Sequence, residues 1–140
     1  MITTPAPSVR ASLRELSKDY ASMADSERYP AMAALFSTKG RLVSPSGTTV
    51  GHDALARAFS GLSRYESTFH MLGQSRYWQD QETIRGEIYC QAHHFSASTK
   101  MTMFIRYEDS YEAAGDSWLF SERVVLVSAT TRSDLDPPTP

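Results

Sequence analysis

The sequence predicts a single α+β domain in which helices come first and a hairpin-connected antiparallel sheet follows. Three observations predict it. Apolar residues recur at helical spacing as far as residue 59. From residue 67 the period changes to two, the period of strands. Short turn segments, with no helices between them, separate the later strands, which argues against a βαβ repeat.

The first helix is read from Leu13, Leu16, Tyr20, Met23 and Ala24, with Arg14, Glu15, Lys18 and Asp19 between them. Ser8 or Ser12 is its expected cap. Pro30 sets a break near residues 26–29, because a residue before proline avoids the helical region. Proline also suits the start of a new helix, expected to carry Met32, Ala33, Leu35 and Phe36. A short strand follows around Arg41 to Ser44, then a turn at Pro45, Ser46 and Gly47. Val50 to Asp53 leads into a third helix with Leu55, Ala58 and Phe59, stopped near Gly61. Strands are expected at Thr68 to Trp78, Thr83 to Ser96, Met101 to Tyr111 and Trp118 to Ala129. Residues 1–8 and 131–140 are expected to be loose tails around a domain spanning 9–130.

At 140 residues the chain has the length of one domain with a real core. Its 41% hydrophobic and 21% charged residues are an ordinary globular balance. A net charge of −2 without a Lys/Arg cluster argues against nucleic acid as partner. No stretch approaches the ~20 apolar residues of a membrane span, and residues 1–7 lack the features of a signal peptide. The expected location is the cytoplasm. Cys90 is the one cysteine, so no disulfide forms within the chain, and it is expected as a small core residue.

The strand from Thr83 points at a pocket. Ile84, Gly86, Ile88, Cys90, Ala92 and His94 share one face, while Arg85, Glu87, Tyr89, Gln91, His93 and Phe95 share the other. The first face becomes small toward its far end, which leaves space above Cys90 and Ala92. His94 closes that face. His70 lies on the preceding strand, where two histidines can converge. His93 sits on the more polar face. The histidines and Asp25 are not at metal-ligand spacing, and neither metal nor cofactor is expected.

These residues resemble a known family. Thr68-Phe69-His70-Met71-Leu72-Gly73 resembles the histidine-bearing strand of scytalone dehydratases, and Asp25-Ser26-Glu27-Arg28-Tyr29 their aspartate-bearing stretch. Tyr89-Cys90-Gln91-Ala92-His93-His94 resembles a strand of the wider SnoaL-like set. Arg106 to Asp109 and Trp118 to Arg123 resemble its closing strands. The resemblance covers roughly residues 10–128. It implies an NTF2-like cone, with three N-terminal helices packed on a strongly curved antiparallel sheet around one pocket. It implies Asp25 and His70 as an acid–base pair, His94 as a second pocket histidine, and Tyr20 as a catalytic tyrosine of the kind found in the related bile-acid dehydratase. Ala24, Ser44, Cys90, Ala92 and Trp78 become expected substrate contacts. Two water-positioning tyrosines of scytalone dehydratase fall at Ala24 and Ser44, so the implied chemistry is acid–base catalysis without a fixed reaction.

A proton next to a carbonyl needs a base poised near neutral pH, which histidine provides. A carboxylate on one ring nitrogen fixes its tautomer. The expected function is therefore a cofactor-independent lyase or isomerase acting on a hydrophobic ring-containing small molecule such as a polyketide, steroid or terpenoid. A polyketide cyclase and a non-catalytic ligand carrier or accessory subunit stand beside it. A homo-oligomer, dimer or trimer, is expected to pair through an open sheet face bearing Tyr89, Phe95, Tyr107 and Tyr111.

Overall fold

A computed structural model describes residues 1–137. Helix α1 (Pro7–Asp25) buries Leu13, Leu16, Ser17, Tyr20 and Ala24 along one stripe. Pro7 opens it, where the missing N–H costs nothing, and neither Ser8 nor Ser12 caps it. The expected break follows. Ser26 donates its N–H to the Ser22 carbonyl at 3.0 Å, and Glu27 takes a left-handed φ of 59°. Helix α2 (Tyr29–Ala33) is only five residues long.

Phe36, expected on that helix, instead opens strand β2 (Phe36–Ser44). The Phe120 N–H binds the Leu35 carbonyl at 2.9 Å and draws the chain into the sheet at that point. Residues Gly47–Val50 form β3, paired with β2, where Gly47 was expected in a turn and Val50 in a lead into the next helix. Helix α3 (His52–Ser60) and one 3-10 turn (Gly61–Arg64) come next. The chain then runs through β4 (Ser67–Asp80), β5 (Thr83–Phe95), β6 (Thr99–Ala114) and β7 (Ser117–Asp134).

The expected tails are largely structured. Ile2–Thr3 form a short strand, β1, on the edge of β4, and α1 begins at Pro7. At the other end β7 continues to Asp134; residues 138–140 of the expected tail lie outside the described residues.

The seven strands are ordered β1-β4-β5-β6-β7-β2-β3 in a curled, unclosed sheet. It is not purely antiparallel, because β2 runs parallel to β7. The helices are not one N-terminal block either, since the β2–β3 hairpin separates α2 from α3. Strand β5 follows the expected alternation along its length. Ile84, Gly86, Ile88, Cys90, Ala92 and His94 are buried, and none of the residues between them is.

Register shifts break the alternation in β4, β7 and β2, and two of them bear on the interior. Leu72 faces Cys90 while Ser75 faces Ile88, so β4 carries one extra residue there. Phe120 faces Tyr111 while Glu122 faces Ser110, so β7 carries one extra at Ser121. That second bulge puts both Phe120 and Arg123 inside.

Arg123 is fully buried, as is Asp109. Its Nε donates to Asp109 Oδ1 at 2.9 Å, and its Nη2 donates to Asp109 Oδ2 and Ser17 Oγ at 3.2 Å each. Tyr111 donates to the same carboxylate at 2.9 Å. The guanidinium lies 3.6 Å over the Tyr107 ring, 4.3 Å over Tyr20 and 4.5 Å over Phe120. Burial opposes the Arg123 charge, but Asp109 and the Tyr107 and Tyr20 hydroxyls outweigh it and raise its pKa. Tyr107 and Tyr111 are therefore core residues, not the surface aromatics expected at an oligomer face. The outer sheet face instead exposes Phe69, Met71, Tyr89 and Phe104.

Two stability outcomes follow from this packing. Asp109→Ala strands a buried cation and should cost about 3–5 kcal/mol, read as a lower urea midpoint. A Cβ at Gly86 would lie 2.5 Å from the Tyr111 hydroxyl and 2.8 Å from the Tyr77 ring, so Gly86→Ala should cost about 1–3 kcal/mol in the same assay.

Candidate active site

Helix α1 has a second stripe about a quarter turn from the buried one. Arg14, Lys18, Ala21 and Asp25 share it, and with His70 and Leu72 they line an open cleft of about 590 Å³ between α1 and β4. Asp25 is the last residue of the helix, and this stripe points it at β4. The break after it only ends the helix.

Asp25 grips His70 twice. The His70 ring Nδ1 lies 2.7 Å from Asp25 Oδ1, and the His70 backbone N–H donates to Asp25 Oδ2 at 2.9 Å. Thr68 adds its hydroxyl to Oδ1 at 2.9 Å. A carboxylate can only accept, so Nδ1 carries the proton and Nε2 is left with a free lone pair. The His70 side chain is 7% exposed and that of Asp25 29%. Burial alone would raise the Asp25 carboxyl. The bonds from the His70 ring, the His70 N–H and the Thr68 hydroxyl prevail and hold it below its ordinary value.

His94 stands beside this pair. Its ring centroid is 6.1 Å from that of His70, nearly perpendicular, and 4.7 Å from the Tyr65 ring. It is buried, and its Nδ1 has no hydrogen-bond partner among the described residues. Burial first, and repulsion by His70 second, lower its pKa and favour the neutral ring. His93 faces the other way and meets the Thr102 hydroxyl at 2.7 Å. Ala92 is the cross-strand partner of His70, and Cys90 that of Leu72. Burial pushes the Cys90 thiol up to about 11, so it packs as a neutral wall.

Six expected residues do not line the cleft, and two of them, Cys90 and Ala92, are closed in the core. Tyr20 is buried among Phe36, Phe59, Tyr107 and Phe120, and does not line the cleft. Burial raises its hydroxyl to about 12, which makes it a poor proton donor. Ala24 lies on the buried stripe. Ser44 is at the tip of the β2–β3 hairpin, 2.9 Å from the Ser46 hydroxyl. Trp78 points to the outer face, because the β4 bulge reverses parity between it and His70. Thr68 went unnoticed in the sequence, although it sits two residues before His70 on the same strand face. Among the described residues no group of three His, Cys, Asp or Glu side chains is placed to hold a metal, and no helix is long and apolar enough to cross a membrane.

The SnoaL-like domain profile matches residues 8–124. The chain belongs to the SnoaL-like family. Solved structures of the family's NTF2-like cone superpose well at low identity. A candidate scytalone dehydratase of Novosphingobium aromaticivorans is 18% identical, with a TM-score of 0.80 over 94% of this chain and 91% of that one. A type 3 hexachlorocyclohexane dehydrochlorinase LinA of Novosphingobium barchaimii is 16% identical, with a TM-score of 0.82 over 94% and 96%. ActVI-ORFA of Streptomyces coelicolor is 15% identical, with a TM-score of 0.73 over 86% and 98%. No curated protein sequence matches the chain significantly. At these identities the family members establish the fold, and the chemistry rests on the site itself.

A neutral buried His94 has a measurable consequence. Its folded pKa lies below the ordinary 6.5, so below that pH the unfolded chain binds a proton that the native one refuses. Stability should fall as pH drops below 6.5. His94→Gln should flatten the curve of urea midpoint against pH by up to about 1.4 kcal/mol per pH unit in that window.

Proposed function

We propose that the chain is a cofactor-independent acid–base enzyme, a lyase or isomerase, in which His70 is the base. The observation that supports this best is the double grip of Asp25 on one histidine. It joins a helix terminus to a strand 45 residues away and fixes both the tautomer and the backbone of His70. The base would be Nε2, which removes a proton adjacent to a carbonyl or to a leaving group. Asp25 then stabilises the imidazolium as it forms. The carboxylate is well suited to this, because its lowered pKa keeps it ionised at neutral pH. Leu72 and Ala21 supply the apolar part of the cleft wall.

The substrate class follows from that wall: a hydrophobic, ring-containing small molecule, with polyketides, steroids and terpenoids as the family's implied range. Ring closure of a polyketide would use the same cleft, with its shape mattering more than any one acid or base. One observation favours a carrier without chemistry. Tyr20, Phe36, Phe59, Tyr107 and Phe120 fill the interior beneath α1, which confines any ligand to the cleft. The exposed Phe69, Met71, Tyr89 and Phe104 support self-association as a dimer or trimer. A single monomeric species in light scattering would refute that part.

A ring ketone tests the chemistry directly. Wild-type protein should catalyse exchange of the α-protons of 2-tetralone with D2O, followed by proton NMR. His70→Ala should lower the exchange rate about 100-fold or more, with its circular dichroism unchanged. Asp25→Asn should lower it less. An unaltered rate in folded His70→Ala sinks the proposal, and no exchange above background by the wild type leaves the carrier reading.

A further inference from the structure

We infer that the cleft takes an acidic substrate, one whose reacting ring is separated from an anionic group by an extended apolar spacer. This rests on His70 being the reacting base. The cleft is electrically divided along α1. Asp25 and His70 occupy one end, and Arg14 and Lys18 the other. The intervening surface includes the small Ala21 and the apolar Leu72.

Helix geometry sets the separation. Lys18 precedes Asp25 by seven residues and Arg14 precedes it by eleven, so at 1.5 Å per residue the cations lie about 10 and 16 Å from it along the axis. One polar group on a substrate cannot touch both ends. Two groups joined by a spacer can.

The charges at the far end are available. No carboxylate lies within 4 Å of Arg14 among the described residues. Lys18 pairs only with Glu15, and both of those side chains are mostly exposed, at 55% and 64%. Such a pair is weak and exchanges readily for another anion. Glu15 itself does not line the cleft. Arg14 is half-buried and lines the cleft, and its Nη1 has no hydrogen-bond partner among the described residues, so its guanidinium has donors to spare for a carboxylate.

The near end repels the same group. Asp25 is held ionised by three hydrogen bonds, so a substrate carboxylate beside His70 would face a like charge. The two ends therefore orient the molecule. The acid is drawn to Arg14 and Lys18, and the uncharged ring is left at Nε2. A neutral hydrophobic molecule would have no such preference between its two directions.

8-Phenyloctanoate and its methyl ester are probes that differ only in this charge. Isothermal titration at low salt should give the acid roughly fivefold tighter binding than the ester. The acid should also shift the ring-proton NMR signals of His70, which places its phenyl end in the cleft. Added salt should erode the advantage. Arg14→Gln combined with Lys18→Gln should bring the acid to the affinity of the ester and leave the ester unchanged. Lys18 is exposed and Arg14 half-buried, and circular dichroism checks that the fold survives. His70→Ala should keep the preference for the acid, so ketone exchange that persists in that variant with the preference retained would fail the catalytic reading alone. Equal affinities for acid and ester, absence of binding by both included, overturn the inference. So does a preference that survives the double substitution.

Discussion

A fully buried guanidinium sets the terms for the rest of this fold. Arg123 on β7 is bonded to Asp109 on β6 and Ser17 on α1, and three aromatic rings enclose it. Taking an ion pair out of water costs several kcal/mol, repaid only by good geometry and saturated hydrogen bonds. The pair is thus a demanding constraint. It holds only if α1 lies at one height over the sheet, with Ser17 facing Arg123. That placement also sets where the helix ends. Asp25 lies two turns beyond Ser17, so the pair that fixes the helix also delivers its last carboxylate to His70.

The helix serves two neighbours with two stripes. Leu13, Leu16, Tyr20 and Ala24 face the aromatic core, while Arg14, Lys18, Ala21 and Asp25 face β4. The first stripe is apolar because it is sealed. The second is mixed because it borders an open cleft, and its composition gives that cleft its electrical direction. In the proposed reading the cleft binds and orients. The sealed side holds the geometry, and Tyr20 belongs to it.

Much of this was legible in the sequence, and the losses have physical causes. Strand β5 has no bulge, so strict alternation assigned every one of its residues to the correct side, His94 included. The helix break before Pro30 was legible from backbone sterics. The pairing of Asp25 with His70 came only from family resemblance, because a reading that looks for one apolar stripe takes Asp25 for a solvated residue. Phe36 was read as helical since a lone aromatic fits either period. Trp78 and Arg123 were lost for one common reason. Each lies beyond a bulge, and one extra residue reverses the face of everything that follows it. The parallel entry of β2 beside β7 left no local trace, because it joins segments about 80 residues apart.

The bulge in β4 makes that strand two modules joined at a phase boundary. Before Gly73, even-numbered positions look into the domain and carry Thr68, His70 and Leu72; after it, odd-numbered positions do, and carry Ser75 and Tyr77. The histidine half can therefore be exchanged between family members without disturbing the half that packs on Tyr111, provided the extra residue is kept. Deleting it would leave the length of β4 almost unchanged and yet turn one module inside out. Grafting a new active-site half onto this scaffold should preserve the boundary at Gly73 and Gln74 before any side chain is chosen.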